Sequence, residues 1–220
     1  MTKLFPLLTI ILAAMFVYAP VLIVGAPYES TMGLVQKIFY FHFPSWMAMF
    51  MAVFVSGGAS VAFLVTRRPR ADAIAVAAAE LVVVFGAIGL LTGPLWGIKA
   101  WGVWWSWDAR GTSALVLWLI FQSYLLLRRF GGPGSERLAA TVALFGMFNV
   151  PFVYWSVNLW RTLHPKTTVV SSLPLSMGTP LWFSTLAFLG LFGLLLVLRV
   201  QLEHRRTELD SLHLAIEDSQ

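Results

Sequence analysis

The chain contains no cysteine. That excludes a disulfide, a thiolate metal ligand and a Cys-x-x-Cys-His site for covalent haem, so the chain is not itself a c-type cytochrome. Charge is scarce as well. Of 220 residues, 11% are charged and 59% hydrophobic, far from the balance of a soluble domain. Period-two alternation is absent, which argues against a membrane barrel. No nucleophile–base pair, phosphate loop or deaminase-type metal motif is present, so the chain is not expected to be an enzyme. The net charge of +5 needs no nucleic-acid partner, because its distribution reads as a topology signal.

What is abundant is long apolar sequence. Six runs, roughly 4–26, 44–66, 74–96, 112–127, 138–157 and 179–201, can each cross a hydrocarbon core. Backbone groups in lipid must be satisfied internally, so the runs are helices. The expected fold is all-α, an integral membrane bundle of six transmembrane helices. The fourth run reaches spanning length only if its helix starts inside the tryptophan-rich stretch before it. The first run is too long for a signal peptide and is read as a span. With Met1 inside, the inner side carries ten basic residues: Lys3, Arg67, Arg68, Arg70, Arg128, Arg129, Arg137, Arg199, Arg205 and Arg206. The outer side carries five: Lys37, Lys99, Arg110, Arg161 and Lys166. This bias places both termini in the cytoplasm. Residues 1–201 form the membrane domain and 202–220 a charged cytoplasmic tail, which holds His204 and His213 as solvated side chains.

Between the third and fourth runs lies the stretch 96–112, which holds five of the chain's ten tryptophans and a single Asp-x-Arg. Trp101, Trp104, Trp105 and Asp108 fall at i, i+3, i+4 and i+7, one face of a short helix. Trp107 and Arg110 fall off that stripe. Two readings stay open for the face: an interfacial belt, or a platform for a flat aromatic ligand, each indole able to bury roughly 150–250 Å². Thr112 or Ser113 is expected to cap the fourth span. Glu80, in the third span, is expected to pair with Arg67, Arg68 or Arg70 near the inner interface. Asn149 is expected to satisfy a backbone group freed by a kink at Pro151.

Four histidines divide two and two. His42, in Phe41-His42-Phe43-Pro44, sits at the outer mouth of the second span, with Pro44 suited to that helix's first turn. His164, in Leu163-His164-Pro165, lies in the loop after the fifth span. Either histidine alone reads as an interfacial side chain. Together, beside the indoles, two neutral imidazoles could take both axial positions of a haem iron. Zinc fits less well, because a third ligand would have to be Asp108 or Glu29. Arg110, Arg161, Lys99 or Lys166 could pair with propionates.

The run Trp101-Gly102-Val103-Trp104-Trp105-Ser106-Trp107-Asp108-Ala109-Arg110-Gly111-Thr112 resembles the WGxWWxWDxRxT signature of the haem-handling (WWD-domain) membrane proteins of cytochrome c maturation, and the CcmC family in particular. The resemblance extends to residues 38–44 and 156–164 and to the layout of six spans with the signature between the third and fourth. An acidic residue common in the first turn of that family's fourth span has no counterpart in Thr112-Ser113-Ala114-Leu115. The resemblance implies that haem b is held non-covalently on the outer face of the cytoplasmic (inner) membrane. It implies His42 and His164 as axial ligands, with Trp101, Trp104, Trp105, Trp107 and Asp108 in the haem-contacting motif. The implied partners are the haem chaperone CcmE, the ABC-transporter subunits CcmA and CcmB, and the small protein CcmD. An exposed vinyl edge would favour covalent capture by the chaperone after an ATP-driven change in the cage. Two other readings are a haem-b electron-transfer protein using the same histidines and a cofactor-free transport subunit. The scarcity of polar residues within the spans argues against the second.

Overall fold

A computed structural model describes residues 4–217. Met1, Lys3 and the side chain of His213 lie outside the described residues. The chain runs as α1 (Leu4–Gly25), a 3-10 helix (Leu34–Ile38), α2 (Phe39–Thr66), α3 (Pro69–Trp101), α4 (Ala109–Phe130), α5 (Ser135–Leu159), the single-turn α6 (Thr168–Ser171) and the long α7 (Leu175–Glu217). No strand occurs among the described residues, only an isolated bridge between Glu29 and Gly33. Six helical segments are long and apolar enough to cross a membrane, as their composition requires.

The second and third spans extend beyond their apolar runs. Pro44 lies inside α2, past its first turn, so His42 belongs to the opening turn of the helix itself. The third span runs past 96: α3 continues through Pro94 to Trp101. A membrane helix tolerates an interior proline when its surroundings relieve the lost hydrogen bond. Gly102, at φ 76°, then adopts the left-handed conformation that closes the helix. The fourth span begins at Ala109, inside the tryptophan stretch, as its length demanded. Its cap is Asp108, whose Oδ1 accepts a hydrogen bond from Gly111 N at 2.8 Å, and not Thr112 or Ser113. An Asp with β-region backbone three residues before a free amide is a stronger cap than a hydroxyl already inside the first turn.

Helix association in lipid depends on close packing more than on burial of apolar area. α2 is the central helix, lying against α3, α5 and α7, while α1 packs on the outside against α7. The interior is built from Trp46, Met49 and Val53 of α2, Val82 and Phe85 of α3, Leu117 and Phe121 of α4, Val150 and Val153 of α5, and Phe188 and Phe192 of α7. Close approach of α2 and α3 depends on Gly89, where a Cβ would stand 2.6 Å from the Trp46 ring.

Two ion pairs tie α3 to its neighbours at the end away from the histidines. Arg128 donates to Asp72 at 2.6 Å. Glu80 pairs with Arg199 of α7, whose Nε and Nη2 grip both carboxylate oxygens; it does not pair with Arg67, Arg68 or Arg70. The side chain of Glu80 faces the packed helix α7, where the Arg199 guanidinium meets both carboxylate oxygens in the two-donor geometry that suits a carboxylate. The side chain of Asn149 makes no hydrogen bond among the described residues, so the expected relief of a Pro151 kink by Asn149 is not seen.

Candidate functional site

Three stretches distant in sequence converge at one end of the bundle: the opening of α2, the last turns of α3 with linker 102–108, and the loop 160–167. Lys37 anchors the first. Its ammonium donates to the carbonyls of Ile23, Val24 and Ala26 at 2.5, 2.9 and 2.7 Å, closing the C-terminus of α1. In the turn just before it, the carboxylate of Glu29 accepts from the amides of Thr31 and Met32 at 2.8 and 2.7 Å. Those amides hold its pKa below the usual carboxylate value.

His42 and His164 face each other with ring centroids 6.3 Å apart and planes inclined by 38°. Two nitrogens bound to one metal at about 2.0 Å each, with about 1.1 Å from nitrogen to ring centre, would set imidazole centroids about 6 Å apart. His42 is buried. Its Nδ1 lies 2.9 Å from Thr92 Oγ1. His164 Nδ1 lies 3.1 Å from the carbonyl of Pro165. Neither Nε2 has a hydrogen-bond partner among the described residues. Burial pushes the pKa of His164 down to about 4, and repulsion from the Arg110 guanidinium adds to the shift. The ring is therefore neutral at pH 7, with a lone pair available.

The aromatic wall is centred on Trp96, which the sequence placed in the motif but not among the ligand-contacting residues. Trp96 is 3% exposed. Its ring centre lies 5.8 Å from His42, 6.3 Å from His164 and 5.6 Å from Trp101. Its Nε1–H donates to Met32 Sδ at 3.2 Å. Trp46 adds an edge contact to His42 at 6.2 Å. The signal that could have found Trp96 is its register. It stands one turn beyond Thr92 on α3, the helix whose Gly93 backbone a Cβ would bring within 3.3 Å of His42.

The other signature tryptophans do not share a helix face. Residues 102–108 are non-helical, because Gly102 stops α3 and Asp108 starts α4. The apparent helical spacing of Trp101, Trp104, Trp105 and Asp108 therefore does not describe this segment. Trp101, Trp104 and Trp105 nevertheless line one cavity together with both histidines. Trp105 Nε1 is buried and has no partner among the described residues. Trp107 is 77% exposed and lines neither cavity, its ring against Trp105 at 5.8 Å.

Asp108 has two jobs in the structure. Beyond capping α4 through Oδ1, its Oδ2 accepts from the Thr162 hydroxyl and, at 3.3 Å, from Leu163 N. Thr162 Oγ1 in turn accepts from His164 N at 3.0 Å. The carboxylate thus pins the turn that carries His164. Arg110 Nη1 donates to Val153 O at 2.6 Å, which ties α4 to α5 beside the same histidine.

Two cavities, of about 100 and 280 Å³, flank the histidine pair and share His42, Trp46, Trp96, Arg110 and His164 as walls. The smaller opens on the tryptophan linker. The larger lies toward Met32, Gln36 and Met177. Of the expected propionate partners, Arg110 lines both and Lys166 the larger, while Lys99 and Arg161 line neither. No group of three or more metal-ligating side chains occurs among the described residues; the two facing imidazoles are the pair that could hold a metal from both sides. Such a pair leaves four positions of an octahedral metal to a planar tetradentate ligand.

Six membrane-length helices with a paired-imidazole, indole-walled pocket at one end define a multi-pass membrane protein. A family model described as heme exporter protein C matches residues 1–215. Heme exporter protein C of Bradyrhizobium diazoefficiens is 38% identical over 213 residues, covering 94% of this chain and 80% of the relative. Heme exporter protein C of Escherichia coli is 34% identical over 190 residues, covering 80% of this chain and 73% of the relative. A putative cytochrome c biosynthesis ccmC-like mitochondrial protein of Marchantia polymorpha is 32% identical over 196 residues, covering 86% and 82%. The chain belongs to the heme exporter protein C family, CcmC.

Proposed function

We propose that the protein handles haem for cytochrome c maturation, holding haem b non-covalently with His42 and His164 as axial ligands. The observation that carries this reading is the pair of facing imidazoles, 6.3 Å apart, both in ring contact with Trp96. Haem enters as cargo. It spans the two cavities, with the iron between the histidines and one edge toward Trp101, Trp104 and Trp105. Arg110 and Lys166 are the propionate partners best placed to serve the two cavities. The site faces the outer side of the cytoplasmic membrane, with both termini inside, in keeping with the basic residues of the 67–70 and 128–129 turns at the opposite end.

The chain makes and breaks no covalent bond. It orients haem and presents it to the chaperone CcmE, within a complex of CcmA, CcmB and CcmD whose ATPase changes the cage. A tryptophan linker with no helical hydrogen bonds of its own suits that change, since it can move without unwinding either flanking helix.

The test is an absorbance spectrum of the purified protein, oxidised and reduced, beside His42→Ala and His164→Ala. A low-spin six-coordinate haem in wild type, altered or lost in each variant, is expected. Unchanged spectra in both variants would move the ligands elsewhere. A wild-type protein that takes up no haem after supplementation would remove the reading.

A further inference from the structure

The hydrogen bonds around His42 assign its ring proton. Thr92 Oγ1 lies 2.7 Å from the carbonyl of Ile88 and 3.2 Å from that of Gly89. A carbonyl can only accept, so the single hydroxyl proton of Thr92 is committed to the helix backbone. Oγ1 also lies 2.9 Å from Nδ1 of His42. With its proton spent, the oxygen meets Nδ1 only as an acceptor, and Nδ1 must carry the ring hydrogen. The opposite tautomer would turn the hydroxyl proton toward Nδ1. Two oxygens would then stand 2.7 Å apart at Ile88 with no proton between them. His164 arrives at the same state by another route, since its Nδ1 faces the Pro165 carbonyl at 3.1 Å, again a pure acceptor. A ring hydrogen on Nδ1 leaves the lone pair of each neutral imidazole on Nε2.

We propose that Thr92 is a positioning residue: it fixes His42 as the Nδ1–H tautomer and keeps its Nε2 lone pair ready for iron. The inference rests on the haem reading above and adds to it a residue outside the tryptophan signature. Gly93, next along α3, lets the Cε1 edge of the ring lie against the backbone, so one helix turn sets both the rotation of the ring and its tautomer. An Nδ1–H bond to an acceptor raises the basicity of the other nitrogen, which favours ferric over ferrous iron. Valine in place of threonine keeps the branched shape and removes the acceptor. Serine keeps the acceptor.

The experiment uses the full chain labelled with [15N]histidine, as wild type, Thr92→Val and Thr92→Ser. Without haem, nitrogen NMR of the His42 signal, assigned by its loss in His42→Gln, is expected to show a protonated Nδ1 in wild type and Thr92→Ser. Thr92→Val is expected to lose that preference. With haem added, Thr92→Val is expected to bind on the order of 10–100-fold more weakly and to move the haem midpoint potential positive. Thr92→Ser is expected to retain both properties. A wild-type His42 protonated on Nε2 overturns the assignment, as does a Thr92→Val protein that matches wild type in tautomer and affinity. Failure of serine to rescue would assign the residue a packing role and overturn it too. The expected tautomers in a protein that takes up no haem would uphold the Thr92 assignment and remove the haem reading instead.

Discussion

The acidic member of the tryptophan signature works on the chain itself. Asp108 divides its oxygens between the first turn of α4 and the turn that carries His164, and the two roles separate by substitution. Asp108→Asn keeps an oxygen for the cap, where Asn is as good as Asp. It turns an amide donor toward the Thr162 hydroxyl and Leu163 N, so the hold on the His164 turn fails. Asp108→Ala loses both, and the cap alone costs about 0.5–2 kcal/mol. The expected outcome is a near wild-type unfolding midpoint for Asp108→Asn with a weakened or five-coordinate haem spectrum. Asp108→Ala is expected to show the same spectrum with a lowered midpoint. An unaltered spectrum in Asp108→Asn would show that the carboxylate serves the cap alone. The sequence makes this residue conspicuous and cannot show its partner, because Thr162 lies more than fifty residues downstream and only the packing of α4 on α5 brings the two together.

At the scale of elements, the spans were legible because hydropathy over about 20 residues is a strong signal. Their limits were less so. The third apolar run ends near 96, yet α3 continues to Trp101, and Pro44 reads as a first-turn residue, yet lies deeper in α2. The linker 102–108 imitates helical spacing, and the features that deny it are Gly102 and the Asp108–Gly111 cap. His42 and His164 could be nominated as a pair from their positions, whereas Trp96 and Thr92 enter only through the contact of α2 with α3. That contact depends on backbone proximity. A Cβ at Gly89 would meet the Trp46 ring at 2.6 Å, so Gly89→Ala forces the two helices apart or turns the indole. Overpacking of this kind costs about 1–3 kcal/mol. Gly58, on the same α2, has nothing within 4 Å of an added Cβ, and alanine there removes only the flexibility of glycine, worth about 0.5–1 kcal/mol in favour of the helix. Thermal unfolding in detergent is expected to drop for Gly89→Ala and to hold or rise for Gly58→Ala. Equal midpoints in the two variants would mean that the α2–α3 seam is not a tight packing constraint.

Across the whole molecule, ion pairs and ligand site occupy opposite ends of one frame. Glu80 stands twelve residues before Thr92 on α3, a distance of about 18 Å along a helix axis, and joins α3 to α7 through Arg199. The frame predicts that stability can be changed at Glu80 while the histidine pocket keeps its form. Removing one partner strands a charge where solvation is poor, while removing both leaves an apolar contact that lipid and neighbouring helices accept. The pair is about one-third exposed, with side chains 30% and 32% accessible, so the loss should fall below the about 3–5 kcal/mol of a fully buried pair. Glu80→Leu and Arg199→Leu are each expected to lower the unfolding midpoint, and the double variant to recover most of it. Haem affinity and the low-spin spectrum are expected to stay at wild-type values in the double variant. A changed spectrum in that folded double variant would mean that the inner end communicates with the histidines. In that case α3, which carries Glu80 near one end and Thr92, Trp96 and Trp101 near the other, would be a lever between them and not a fixed post.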